Sequence, residues 1–309
     1  MIPVAFLVTI GVFILVRMSP ADPVLAFSGE ERDPAVLAAM REEFGLNQPI
    51  PVQYVAWITH LAHGDLGRSF QTKERVLEAI VERLPATAEL GLAAILISVT
   101  IALAVGILSA IKRNSFVDIA ASSVTLAGIS FPSFFLGIVL ILVFAYVIPG
   151  HIFPPGGYTP ASENLGDNLR RLVLPAVTLA AGSLAVNLRQ VRSSLLDVFG
   201  HEYMRTARAK GLRERTVISR HALKNALIPV VTLIGIQVGA IIEGAFITET
   251  IFSWPGIGRL AVTAIPSGDY PVVQGVVLVS AFSFMVTTLF VDLLYAWLDP
   301  RISYETAAA

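Results

Sequence analysis

The stretch of this 309-residue chain richest in chemically active groups is His201-Glu-Tyr-Met-Arg-Thr-Ala-Arg-Ala-Lys-Gly-Leu-Arg213. It carries charges and hydrogen-bonding groups but no nucleophile paired with a base. The pattern predicts a helix from Glu202 to Lys210, and Gly211 stands where a helix ends on a left-handed residue. Tyr203, Ala207 and Lys210 share one face, and Met204, Ala207 and Gly211 an adjoining one. The small side chains of Ala207 and Ala209 are placed to let another protein surface come close. The chemistry expected here is recognition, by a short basic helix held in a loop. A solvated basic loop with no partner is the plainer alternative.

Other candidate groups are isolated. Glu89, Arg189, Glu243 and Asp292 lie in or near apolar runs, where charge is costly and function is the default suspicion. Glu243 either lines a path through the membrane or bonds a neighbouring helix. Glu89 and Asp292 sit toward the ends of their runs and read as interface anchors, as do Arg189 and Arg192 on the inner side. His60 and His63 share a helix face, but a metal site needs further ligands, so no metal is expected. Cysteine is absent, which excludes disulfides, thiolate sites and cysteine nucleophiles. No Gly-x-x-x-x-Gly-Lys-Ser/Thr string cradles phosphates and no His-Glu-x-x-His binds zinc. The chain therefore reads as having no catalytic residue and no cofactor of its own.

The elements that position these groups are apolar runs. Hydrophobic residues make up 55% of the chain and charged ones 15%, against about 45–50% and 25% in soluble proteins. Several runs reach the roughly 20 residues that a bilayer crossing needs. The expected organisation is a first transmembrane helix at 1–18, an extracytoplasmic insert at 19–84, a transmembrane domain at 85–300 and a tail at 301–309. Within the insert, Pro34 to Phe44 reads as a helix stopped by Gly45. The long runs are Ala86–Ile111, Val117–Val147 with a kink at Pro132, Leu172–Leu196, Ala226–Ile247 and Val272–Leu298. With the first, these give about six membrane helices and an all-α integral membrane protein. The first run is short, but no basic residue precedes it and no cleavage site follows. It reads as a retained helix rather than a signal peptide. Trp57, Trp254 and Trp297 are expected at membrane interfaces. Gly235, Gly239 and Gly244 are expected to permit close helix packing.

Orientation follows from Lys and Arg. Lys112, Arg113 and the cations between Arg189 and Lys224 fall on one side with Arg301, while the opposite loops are acidic or mixed. The basic side is expected to be cytoplasmic, with both termini inside. Arg17 is the one dissenter, and its long stem reaches toward headgroups. The net charge of −1 says nothing for or against nucleic acid, and no nucleic-acid partner is expected.

The segment from Glu202 onward resembles the cytoplasmic coupling loop (197–224) of binding-protein-dependent ABC permeases, often called the EAA loop. The peptide and nickel branch reads close to E-Y-x-R-T-A-R-A-K-G-L, then R-H-A-L-x-N-A-L-I-P. This chain has Glu202-Tyr203, Arg205 through Leu212, Arg220-His221-Ala222-Leu223 and Asn225 through Pro229. Glu249-Thr250-Ile251-Phe252-Ser253-Trp254-Pro255-Gly256-Ile257-Gly258-Arg259-Leu260 resembles the loop before the last helix of these permeases. Asp269 through Gly275, Asp292-Leu-Leu-Tyr295, Leu298-Asp-Pro-Arg301, Asp22-Pro23 and Gly64-Asp-Leu-Gly67 before Ser69 also fit. There are two departures. Arg205-Thr206-Ala207 stands where the wider class has Glu-Ala-Ala, and no basic residues precede the first helix.

The resemblance implies a type I ABC importer transmembrane fold in a bacterial cytoplasmic membrane. It implies an ATPase-coupling surface made by Glu202, Tyr203, Arg205, Thr206, Ala207, Arg208, Ala209, Lys210 and Gly211. It implies partners: a homologous second permease, two cytoplasmic ATPase subunits that bind ATP and Mg, an extracytoplasmic substrate-binding protein, and lipid. Glu243, Glu249, Trp254 and Pro255 become candidates for the pathway or gate. Di- or oligopeptides are the leading cargo, with glutathione-like peptides and nickel or other metal chelates as alternatives. A transporter driven by an ion gradient would instead need paired midplane charges and often an inverted repeat. Glu243 alone is thin support for that, and an intramembrane enzyme finds no site.

Overall fold

The computed structural model describes residues 2–18, 23–28, 33–43, 45–148, 150 and 152–298. Within the helices, the side chains at 2, 23, 26, 27, 43, 239–244, 292 and 294–298 are not described. The expectations placed on Glu243, Gly239, Gly244, Asp292, Trp297 and the tail at 301–309 fall outside the described side chains.

The described chain is helical throughout, with a single isolated bridge between Arg68 and Arg75. The helices are α1 (Ile2–Arg17), α2 (Pro23–Ser28), α3 (Pro34–Glu43), α4 (Ile50–Ala62) and α5 (Val76–Ile111). Next come α6 (Phe116–Ser130), α7 (Ser133–Ile141), with a π-helical extension Leu142–Val147, and α8 (Leu165–Phe199). After α9 (Glu202–Ala209), α10 (Glu214–Thr216) runs through a π-helical turn Val217–Ala222 into α11 (Leu223–Ala226). The last are α12 (Ile228–Ile251), α13 (Ile257–Ala264) and α14 (Tyr270–Leu298).

Three described helices are long and apolar enough to cross a membrane: Val76–Ile111, Leu165–Phe199 and Tyr270–Val291. Two bent pairs raise the number to five, and α1 is a shorter apolar helix. The run from Val117 to Val147, expected as one span kinked at Pro132, is broken there, with its halves bent by 105°. The cause is Pro132. Its ring pushes the preceding residue out of the helical region, and Phe131 is extended at φ −86°, ψ 129°. α6 ends there and Pro132 heads α7. The second break, of 49°, separates Glu214–Ala226 from Ile228–Val238. Pro229 is the second residue of α12, where its missing N–H leaves no intrahelical bond unmade.

The chain divides into two compact units, Met1–Ala88 with Ala245–Met285, and Glu89–Gly244 with Val286–Ala309. In the second unit a Cβ on Gly235 would stand 2.4 Å from Val291 Cγ1, so only glycine lets these helices meet. The apolar core of this unit gathers at the C-terminal end of α8, around Val191, Leu195, Val198, Met204 and Val217.

Candidate functional site

The recognition helix is built by its two ends. α8 stops at Gly200, whose N–H bonds back to Asp197 and Val198. His201 is extended and starts α9, with Glu202 in the first turn, where an acidic group complements the helix dipole. At the other end Arg208 occupies the last turn, and Gly211 takes φ +73°, the left-handed geometry expected of it. The chain then reverses into α10. Arg208 spans the turn with a fork onto Glu214, Nη2 to Oε1 at 2.8 Å and Nε to Oε2 at 3.2 Å. That hydrogen bond raises the Arg208 pKa above its ordinary value.

α9 has two faces with opposite roles. Met204 and Ala207 are buried in one apolar cluster with Val191, Leu195 and Val198 of α8, Val217 and Ala222 of the π-turn, Ala226 of α11 and Val230 of α12. Glu202, Tyr203, Arg205, Thr206, Arg208, Ala209, Lys210 and Gly211 are exposed. This corrects one expectation: Ala207 is not available to a partner, and its small size lets α9 lie tightly on its own chain. Ala209 does face outward. Tyr203 is tethered, its hydroxyl accepting from Asn225 Nδ2 at 2.9 Å and its ring stacked on His201. Arg205 pairs with Glu202 at 2.8 Å along the exposed face.

The helices flanking this element are cross-linked by buried polar groups. Asn187 Nδ2 of α8 donates to Gln237 Oε1 of α12 and to Ser98 Oγ of α5, both at 2.9 Å. One turn nearer the loop, Arg192 grips Asp118 through Nε and Nη2 at 2.6 and 2.9 Å. Asp118 also accepts from Ser109 Oγ and from the Asn114 N–H. So α8, the strut leading into α9, is fixed to α5, α6 and α12. Arg192 is therefore held as an ion-pair partner. The sequence reading missed Asp118, Asn187 and Gln237. Asp118 left one local trace, the Ser115-x-x-Asp118 pattern of a helix start, and Ser115 Oγ does accept from the Asp118 N–H.

In the same unit Glu89 accepts from Tyr158 Oη at 3.1 Å and Asn168 Nδ2 at 2.7 Å. It ties the Pro- and Gly-rich loop to α8 and α5.

The second candidate group lies in the other unit. Glu249 and Trp254 are fully buried, and Pro255 is half-buried. Glu249 accepts from Thr87 Oγ1 at 2.7 Å and from the Arg259 N–H at 2.8 Å. Thr87 in turn accepts from the Ile257 N–H at 2.9 Å. The carboxylate and the hydroxyl together satisfy the free N–H groups that begin α13. A Cβ on Gly256 would lie 2.0 Å from Glu249 Oε1, and one on Gly258 2.1 Å from Phe246 Cδ1. The Trp-Pro-Gly-Ile-Gly string is thus what lets a carboxylate reach this helix start. Trp254 Nε1 donates to the Ala86 carbonyl at 2.8 Å. Trp254 is a core residue, not the interface ring expected, and Glu249 and Trp254 offer no surface for cargo in this conformation. Nearby, Asp269 accepts from Ser69 Oγ and from the Phe70 N–H, the latter at 2.9 Å, holding the turn after Gly67.

Comparison with known proteins places these features. A family model described as "Binding-protein-dependent transport system inner membrane component" matches residues 102–304, and an N-terminal companion for the membrane component of such systems matches 1–91. The Di/tripeptide transport system permease protein DppB of Pseudomonas aeruginosa (strain UCBPP-PA14) is 42% identical over 324 residues, covering 99% of this chain and 96% of that protein. A putative peptide transport system permease protein of Brucella suis biovar 1 (strain 1330) is 40% identical, covering 98% and 96%. The Glutathione transport system permease protein GsiC of Salmonella typhi is 38% identical, covering 99% and 96%. Among solved structures, an inward-facing MetNI methionine ABC transporter chain superposes with a TM-score of 0.57 at 17% identity. It covers 72% of this chain and 97% of that one.

Proposed function

This chain belongs to the family of inner membrane components of binding-protein-dependent transport systems, and from that premise we propose that it forms half of the pore of an ATP-driven importer of di- or oligopeptides. The observation that carries the proposal is α9, buried by Met204 and Ala207 on one side and bare on the other. A helix anchored in this way transmits a push; a mobile loop absorbs it. In this reading Glu202, Tyr203, Arg205, Thr206, Arg208, Ala209, Lys210 and Gly211 meet an ATPase subunit. ATP and Mg are bound by two such subunits, since this chain has no phosphate-binding loop.

Displacement of α9 passes into α8 and α12 through the apolar cluster that Met204 shares with them, and these two helices are joined at Asn187–Gln237. A homologous permease supplies the other half of the pore, and a binding protein delivers cargo from outside. The Lys112-Arg113 turn and α9 face the cytoplasm with both chain ends, by the bias of cations to that side. Residues 19–84 lie on the outer side, and 85–300 make the transmembrane domain. Glu243 remains the candidate for lining the path, whereas Glu249, Trp254 and Pro255 hold α13 in place.

Peptides are the favoured cargo because relatives named for peptide transport match nearly the whole chain at about 40% identity. Glutathione is the second reading, favoured by the Salmonella relative. The test is purification from native membranes in mild detergent, followed by an ATPase assay. A homologous permease and ATPase subunits should co-purify, and peptide-loaded binding protein should raise hydrolysis. Purification alone, with uptake into liposomes driven by an ion gradient without ATP, would overturn the proposal.

A further inference from the structure

α4 lies within the insert that is otherwise assigned to the outer aqueous side. Its thirteen residues, Ile50-Pro-Val-Gln-Tyr-Val-Ala-Trp-Ile-Thr-His-Leu-Ala62, include no Asp, Glu, Lys or Arg, and none of them is buried. One face lies on α1. Tyr54 Oη and Thr9 Oγ1 share a hydrogen bond of 2.8 Å. The Tyr54 ring meets Phe6 and Phe13 at 6.3 and 5.4 Å, and Trp57 meets Phe13 at 5.6 Å. These contacts fall in the middle of α1, not at its end.

The opposite face is apolar and uncovered. On it Val55 is 60% exposed and Val52 50%, with exposed Ala56 beside them and Thr59 one turn on. α1 itself leaves Leu7 66% and Leu15 71% exposed. Two packed helices therefore present apolar side chains and no charge along the same stretch. Both ends of α4 are polar: Asn47 and Gln48 are exposed before it, and His60, His63 and Asp65 after it. Thirteen residues of helix span about 20 Å, too short for the ~30 Å hydrocarbon core. A helix with polar ends, an apolar middle and a membrane helix at its side fits the boundary between headgroups and acyl chains.

We propose that α4 is an interfacial membrane helix whose Val52, Val55 and Ala56 lie among the acyl chains of the outer leaflet. Lipid is the partner because the face continues the lipid-facing character of α1. It takes acyl chains rather than anionic headgroups because it has no cation to offer. The proposal rests on reading α1 as a membrane helix.

The chain lacks cysteine, so single cysteines can be placed in it directly. Val55→Cys, His63→Cys and Leu7→Cys would each be spin-labelled in the assembled transporter in liposomes, with Val52→Cys as a second probe of the face. Collision with oxygen reports lipid, and collision with a water-soluble nickel chelate reports water. The expected result is that positions 55, 52 and 7 favour oxygen several-fold over the chelate, that position 63 shows the reverse, and that the anionic lipid fraction changes neither. Position 55 matching position 63 while 7 favours oxygen overturns the proposal and leaves the α1 reading intact. Position 55 shielded from both reagents also overturns it, since protein then covers the face. Position 7 open to the chelate removes the α1 reading and this proposal with it.

Discussion

α9 and α13 are both eight-residue helices, and they are held by opposite means. α13 begins on a buried carboxylate and hydroxyl, Glu249 and Thr87, with glycines at 256 and 258 making room. α9 has no side-chain cap at its start and is held from the side, by Met204 and Ala207 in an apolar core and by Arg208 on Glu214 across the turn. The polar device fixes a helix in one place and uses up every group involved. The apolar device fixes one face and leaves the rest free. A docking element needs the second arrangement, which is why α9 and not α13 is proposed as the surface that receives a partner.

The comparison is broken most severely at Gly256. Gly256→Ala drives a methyl into the Glu249 carboxylate and should abolish recovery of folded protein. Glu249→Ala should follow, leaving the donors at the start of α13 without their acceptor at about 1–3 kcal/mol each. The first is read by the yield of folded protein and the second by thermal unfolding in detergent, where an unchanged midpoint for Glu249→Ala would remove the cap from the account. Met204→Ala should come next, costing ~2–5 kcal/mol for the cavity under α9. It should also lower transport relative to ATP hydrolysis, because α9 would then move without taking α8 along. Arg208→Ala should cost under about 1 kcal/mol, since the pair with Glu214 is half exposed. A loss as large as that of Met204→Ala would mean that the ion pair and not the core holds α9.

How much of this could be read in the sequence depends on distance along the chain. α9 and its stop were legible because Gly211 and the 204/207 spacing are local. The direction of Ala207 was not, since it belongs to both candidate faces and only the packing of Val191 and Leu195 chooses between them. The break at Pro132 was legible as a bend but not as one of 105°. Trp254 was misplaced because a tryptophan near the end of a span suggests an interface, while its actual partner, the Ala86 carbonyl, lies 168 residues away. Asp118–Arg192, Asn187–Gln237 and Glu249–Thr87 share that difficulty: helical periodicity tells which face a residue occupies, not which helix comes to meet it.

The central claim is that the bare face of α9 receives the ATPase while its inner face serves the fold. Ala209→Trp tests it most directly, because the side chain at 209 is exposed and touches no core residue. Thermal unfolding of the isolated chain, co-purification of the ATPase subunits and peptide uptake would be measured on the same variant. The account predicts an unchanged unfolding midpoint, with ATPase binding and uptake each reduced at least about tenfold, the equivalent of ~1.4 kcal/mol of lost docking. A variant that keeps both at wild-type levels would contradict it.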